Sequence, residues 1–307
     1  MSVHGQHAYD SHNTGLDAFD ITDVAYTFEF RFTGGPSPGC GYQSHTMKGD
    51  PSSGTGLILN VPATTTGDCD SGFDLAHFDL NEPGSHTVTR ASYPTGTTSC
   101  RQFGLVDGPN HHQVAALCRE DGWDVAQVWS DPWNPAVTGR RWAPSGRQWH
   151  SVAFSGDGEV LALGDNMRSV YFYDPDDLDA LLARITIPER GSGPGSQGCT
   201  VAFVPQSPES ETRPESETRF VLAACGREGL SILQFNGGAS PSVEEFGFFT
   251  TGGADARSAF WYLDHIYMTD RNSGLFVLKD RGGRIGRNPR TGEMTRLTRS
   301  NPRSAPN

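Results

Sequence analysis

Gly15-Leu16-Asp17-Ala18-Phe19-Asp20-Ile21-Thr22-Asp23 reads as a short strand that runs into a polar turn. Its alternating apolar pattern places one face in a core. The acidic residues at its end hydrogen-bond their own backbone and start a tight turn. The same unit returns as Gly72-Phe73-Asp74-Leu75-Ala76-His77-Phe78-Asp79, then as Trp123-Asp124-Val125-Ala126-Gln127-Val128-Trp129. Ser169-Val170-Tyr171-Phe172-Tyr173, Gly229-Leu230-Ser231-Ile232-Leu233-Gln234-Phe235 and Gly274-Leu275-Phe276-Val277-Leu278-Lys279 bring the set to six. Pro83, Pro132 and Pro175 follow three of these strands, where a residue without an N–H cannot continue a ladder.

Each unit is preceded by another strand: Leu57–Val61, Gln113–Leu117, Val160–Gly164, Phe220–Ala224 and His265–Thr269. Before those lie candidate first strands at Ser44–Met47, Arg101–Val106, His150–Phe154, Cys199–Phe203 and Ser258–Tyr262. Asp107-Gly108 and Asp157-Gly158 are hairpin signals between first and second strands. Sets of three or four strands repeated about every 50 residues predict an all-β chain, a β-propeller of five or six blades with six favoured. The spacing of Leu178, Leu181 and Leu182 predicts one short inserted helix over Asp176–Arg184. The duplicated tract 208–219, Pro-Glu-Ser-Glu-Thr-Arg twice, predicts a solvated loop between two strands. The domain division is a propeller over 1–280 and an Arg/Gly/Pro-rich disordered tail over 281–307. The first unit has so little chain before His4 that its innermost strand is short, missing or supplied by the other terminus.

Composition narrows the functional classes. Hydrophobic residues are 35% and charged residues 20% of the 307, enough to bury a core. The net charge of −12 repels phosphate backbones, so nucleic acid is not an expected partner. No apolar run approaches the roughly 20 residues needed to span a bilayer. Met1 leads almost at once into His4-Gly5-Gln6-His7, which is not a signal peptide. The chain is then either cytosolic or a mature secreted domain carrying a start methionine. Six cysteines fall into sequential couples, Cys40 with Cys69, Cys100 with Cys118 and Cys199 with Cys225, each joining neighbouring strands of one unit. That arrangement favours disulfides and an oxidising, extracellular or cell-surface location over buried free thiols. The absence of CxxC argues against a structural zinc site.

Several of these phrases together resemble the LVIVD-repeat β-propeller family, with extracellular actinobacterial members the most similar. The resemblance rests on Gly15–Asp23, Trp129-Ser130-Asp131-Pro132, Ser44-His45-Thr46-Met47, Trp149-His150-Ser151 with Phe154–Gly158, Cys199-Thr200, and Phe260-Trp261-Tyr262 with Ile266-Tyr267 and Asp270. It covers roughly residues 3 to 280 and implies a secreted or surface-attached propeller rather than a reaction. The chain departs from that pattern at Arg101 and Ala202, where relatives often carry histidine, which weakens the idea of a full ring of histidines.

In a propeller the first strands line the axial channel and the loops at one end form a concave mouth. The first-strand polar residues His45, Arg101, His150, Thr200, Arg257 and Ser258 are therefore the site candidates. His45 and His150 are candidate ligands for a divalent metal on the axis, although two histidines are few for a fixed centre. The plainer reading has each histidine hydrogen-bonded to a neighbouring strand or a buried water. His111 and His112 point to opposite faces of a strand and cannot easily share one ion. Ser151 beside His150 lacks a nucleophile elbow. The carboxylates of Asp174–Asp179, and Asp68 with Asp70, suit turns better than a calcium loop. Trp133, Trp149, Arg257 and Trp261 are candidates for contacting a ligand, and His45, Arg101, His150 and Asp270 for acid–base chemistry in the mouth. Two functions follow: an extracellular binding or scaffold protein for a small-molecule, glycan or protein ligand, which leads, and a propeller enzyme acting in the same mouth on a small organic substrate.

Overall fold

Alternating apolar and polar residues bounded by Gly, Pro and Asp do become strands throughout. The computed structural model describes residues 91–105, 113–131, 134–191, 198–204, 218–250, 255–261 and 265–279 in full, and the backbone of the remaining strand residues named below. The chain begins with β1 (Ser2–His4), β2 (His7–His12), β3 (Gly15–Asp20) and β4 (Thr27–Phe32). Next come β5 (Tyr42–Asp50), β6 (Thr55–Pro62), β7 (Gly72–Asp79) and β8 (His86–Ser92), then β9 (Thr97–Gly108), β10 (His111–Glu120), β11 (Trp123–Trp129) and β12 (Val137–Trp142). A fourth set is β13 (Trp149–Phe154), β14 (Leu161–Asp165), β15 (Ser169–Tyr173) and β16 (Leu181–Thr186), and a fifth is β17 (Thr200–Phe203), β18 (Thr218–Ala224), β19 (Leu230–Asn236) and β20 (Ser242–Phe249). The last is β21 (Ala256–Tyr262), β22 (His265–Asp270), β23 (Gly274–Lys279) and β24 (Thr298–Arg299).

Each set is one four-stranded antiparallel sheet in sequential order, so every connection within a sheet is a hairpin. The six recurring units found in the sequence are the third strands, and the strands expected before them are the second and first. The innermost strand of the first sheet is the short one, β1, paired to β2 from Ser2↔Tyr9 to His4↔His7. Contacts divide the chain into two compact units of three sheets each, Met1–Trp142 and Ala143–Asn307.

In the second unit the sheets pack through their apolar faces. Val160, Ala162, Val170 and Phe172 meet Val201, Val221, Ala223, Leu233 and Phe235 from the next sheet, with Phe172 stacked on Phe235 at 4.8 Å. Leu222, Leu230, Ile232 and Phe246 meet Ala259, Ile266, Met268 and Leu278 in the same way. Each fully buried side chain of this size stabilises by about 1.5–3 kcal/mol. In the first unit Phe103, Val114, Ala116, Val125 and Trp129 form the core of the third sheet, with Phe103 edge-on to Trp129.

The sheets of the second unit are also stitched through backbone. Ser151 Oγ donates to the Cys199 carbonyl at 2.6 Å and accepts from the Val201 amide at 3.0 Å. A Cβ on Gly164 would lie 2.1 Å from that carbonyl, so only glycine permits the approach. Gly226 and Ala256 exchange both backbone hydrogen bonds, at 3.0 and 2.8 Å, joining the fifth sheet to the sixth. Ser151, weighed as a nucleophile, is thus fully buried and used as a stitch.

The helix expected over Asp176–Arg184 is not formed. Asp174 Oδ1 accepts from the Asp176 amide and Asp177 Oδ1 from the Asp179 amide, and these side-chain turns take the amides a helix would need. Leu181–Thr186 then pairs with β15 as an outer strand, leaving Leu181 exposed and Leu178 buried. The duplicated tract also ends earlier than expected. Thr218 and Arg219 already belong to β18, paired with Asn236 and Phe235, and Arg219 is buried. Residues 205–217 lie outside the described residues. No helix among the described residues is long and apolar enough to cross a membrane.

Candidate functional site

Four of the six first strands contain one residue too many near their start. In β5 the register steps from Tyr42↔Pro62 to Ser44↔Val61 and leaves Gln43 unmatched. β9 passes from Thr97↔Glu120 to Ser99↔Arg119 and leaves out Thr98, and a second bulge farther along, from Cys100↔Cys118 to Gln102↔Leu117, leaves out Arg101. β13 passes from Trp149↔Asp165 to Ser151↔Gly164 and leaves out His150, and β21 from Ala256↔Asp270 to Ser258↔Thr269, leaving out Arg257. A bulge of this kind bends the strand and re-aims the extra side chain, which is why bulges gather beside binding sites. The extra residue is polar or charged each time. Thr200 begins β17 just after Cys199, as His150 follows Trp149.

His150 is half-buried, and its ring lies over Gly198, where a Cβ would come within 2.7 Å of the imidazole. Arg257 is exposed and donates to Asp255 Oδ2 at 2.6 Å. Asp255 is buried, and its Oδ1 makes no hydrogen bond. Arg101 is half-buried and donates to Asp124 Oδ2 at 3.3 Å.

Where the second strand turns into the third, the fourth, fifth and sixth sheets each carry a buried carboxylate that holds the segment leading into its own sheet. Asp165 is fully buried; it pairs with Arg147 and accepts from the amides of Met167 and Ser169 and from the Tyr171 hydroxyl. Glu228, equally buried, accepts from the amides of Arg190 and Gly191 and from Arg227 Nε. Burial pushes the Glu228 carboxyl up, but these bonds and the Arg168 charge outweigh it and hold the group below the usual carboxylate range. Asp270 accepts from the amides of Asp255, Asn272 and Ser273 at 2.8–2.9 Å. Glu120 binds Gln127 and Arg140 in the third sheet.

The residues singled out from sequence separate accordingly. His150 and Arg257 stand at matching bulge positions of their strands, whereas Arg101 belongs to the second bulge of β9, three residues past the matching Thr98. His45 stands at neither kind of bulge: it pairs with Asn60, two residues beyond Gln43, and its counterpart in β13 is the buried Val152. The side chains of His45 and Trp133 lie outside the described residues. Asp270 is buried and engaged by three amides, Trp149 is 1% exposed and edge-on to Tyr171, and Trp261 packs half-buried on the core of the second unit. Among the described residues no three His, Cys, Asp or Glu gather as a metal site. Cys100–Cys118 and Cys199–Cys225 are disulfides, as the spacing predicts, whereas Cys40 and Cys69 lie outside the described residues.

Sequence reasoning missed Gln43, Asp165, Glu228 and Asp255. The signal available was an acid that recurs at or just beyond the end of four of the six second strands, at Glu120, Asp165, Glu228 and Asp270.

No family model matches the chain, and no curated protein matches it. Solved structures do. A chain of a crystal structure of the mitotic checkpoint complex matches with a TM-score of 0.55 at 12% identity, over 95% of this chain and 72% of that one. The β-propeller domain of Cps50 (Swd1) from Myceliophteria thermophila matches with 0.55 at 13% identity, over 95% of this chain and 82% of that one. Sqt1 from Chaetomium thermophilum matches with 0.52 at 12% identity, over 87% and 62%. Identities this low speak for architecture alone, and with the six four-stranded meanders they make the chain a β-propeller.

Proposed function

We propose that this propeller is an extracellular binding or scaffold protein whose ligand docks at the channel mouth, on the bulged first strands of the second unit. The observation that carries this reading is the recurrence of the bulge at one register in β5, β9, β13 and β21, each time with a polar residue left out of the pairing: Gln43, Thr98, His150 and Arg257. A strand that only had to pack would keep its register; an added residue that is always polar is the mark of a surface kept for recognition. In the second unit these strands offer the imidazole of His150, the Thr200 hydroxyl and the exposed guanidinium of Arg257. These groups suit a ligand carrying carboxylates and hydroxyls, such as an acidic glycan or an acidic peptide segment. The extracellular setting is supported by the disulfides and by the resemblance to secreted LVIVD-repeat propellers.

The test is calorimetry with uronic-acid oligosaccharides and with acidic peptides, on the wild type and on His150→Ala and Arg257→Ala. Binding weakened about tenfold or more in both variants, with unfolding midpoints retained, supports the reading, because losing a charge-assisted contact costs about 1.5–3 kcal/mol. Binding that is unchanged in both variants places the ligand elsewhere.

A further inference from the structure

The third sheet holds two large aromatic side chains out in solvent. Trp123, the first residue of β11, is 72% exposed, and Trp142, the last of β12, is 45% exposed. Trp129, at the other end of β11, is fully buried.

Both exposed rings stand on one face of the sheet. Trp142 pairs with Val125, and Trp123 lies two residues before Val125 in the same strand. Side chains two apart on a strand share a face, and so do direct cross-strand partners. Trp123 and Trp142 are therefore diagonal neighbours, about 7–8 Å apart between their Cα atoms, within reach of one extended ligand.

A guanidinium is fixed beside them. Arg140 shares their face, two residues before Trp142. Trp129 Nε1 donates to Gln127 Oε1 at 2.8 Å, Gln127 Nε2 donates to Glu120 Oε2 at 3.0 Å, and Arg140 Nε donates to that same oxygen at 2.9 Å. This chain of bonds is rooted in a buried ring and holds Arg140 in place before a ligand arrives. The Arg140 side chain stays 40% exposed, with further guanidinium donors to offer.

The surroundings of the rings select the occupant. A protein interface rings its aromatic anchors with packed neighbours and keeps charges out of its centre. Here the flanking residues are Arg140, Glu120 and the exposed turn residue Asp121. Aromatic faces set among hydrogen-bonding groups match a pyranose, which offers C–H bonds on its faces and hydroxyls around its rim. We propose that Trp123, Trp142 and Arg140 form a glycan-binding platform for β-linked gluco-oligosaccharides, whose equatorial hydroxyls leave both ring faces apolar. Each indole stacks on one sugar ring, and Arg140 donates to a hydroxyl. The platform belongs to the first unit and uses none of the residues assigned to the ligand of the second, so it is independent of that reading.

The experiment titrates the full chain with cellohexaose, followed by tryptophan fluorescence and by calorimetry. Wild type is expected to bind with a Kd in the millimolar range or lower. Trp123→Ala and Trp142→Ala should each weaken binding about three- to tenfold, and Trp123→Phe should recover most of its loss. Unfolding midpoints of these variants should match wild type, because both rings are exposed. His150→Ala and Arg257→Ala should bind cellohexaose as wild type does. Absence of binding at millimolar cellohexaose, or equal affinity in wild type and both alanine variants, would overturn the proposal. So would a dimer seen by sedimentation that Trp123→Ala abolishes, since the rings would then belong to a contact between copies of the chain.

Discussion

Asp157 and Arg219 meet across 62 residues of sequence, and that contact shows how much of this fold is held by single charged groups. Arg219 is buried and donates to Asp157 Oδ2 at 2.7 Å and to Glu159 at 2.6 Å. Burial raises the Asp157 carboxyl, but hydrogen bonds from Arg219, Ser155 and the Glu159 amide, with the Arg219 charge, leave it below its ordinary value. A depressed folded pKa contributes stability that is complete above the unfolded value, about pH 4, and is lost as pH falls through the lower folded value. Asp157→Asn should therefore cost about 1–2 kcal/mol near neutral pH, a modest figure because Asp157 is partly exposed. The deficit should vanish in strong acid, and urea unfolding at several pH values measures it. Glu228→Gln should cost more, about 2–3 kcal/mol, because the replacement leaves buried amides with a poorer acceptor and takes one carboxylate from Arg227, which keeps its ion pair with Glu189. Its unfolding midpoint at neutral pH is the check. Gly198→Ala should leave the fold intact but move the His150 ring, seen as a shift of the imidazole resonances. The roles of these carboxylates were not legible in sequence, since each partner lies tens of residues away and nothing local distinguishes a clamp from a surface acid.

At the scale of elements, the inner strands named from the sequence were read correctly, because a strand half in a core leaves a period-two pattern in its own residues, whereas the outer fourth strands were not named. The expected helix failed for a reason of the same scale. Leu178, Leu181 and Leu182 fit both a helical stripe and a turn followed by an outer strand, and the Asp side chains decide for the turn by taking the backbone amides. The bulges were invisible, because an extra residue changes pairing and not composition. The disulfides are elements of the same kind, local in sequence and joined across one hairpin. Removing Cys199–Cys225 as the double serine variant should lower stability by about 2–4 kcal/mol, given the 26-residue separation it spans. Thermal unfolding with and without the bond measures this. Removing Cys100–Cys118, with a separation of 18, should cost slightly less by the same loop argument.

For the whole molecule, the clamps of the second unit act in one direction. Asp157 and Glu228 are both held below the ordinary carboxylate range, so both lose their contribution as pH falls below about 4. The unfolding temperature should be nearly flat around neutral pH and drop steeply in acid, and replacing both residues by amides should flatten that drop; a calorimetric pH series reads it directly. The sequence by itself determined the all-β class, a repeated unit of three or four strands, the hairpin connections and the pairing of Cys100 with Cys118 and of Cys199 with Cys225, because each of these is written within about 50 residues. Only the tertiary structure decided which polar residues are left out of the pairing by bulges and which acids are buried clamps. Those properties arise where distant segments meet, and burial, register and charge neighbourhood there depend on residues that no local pattern contains.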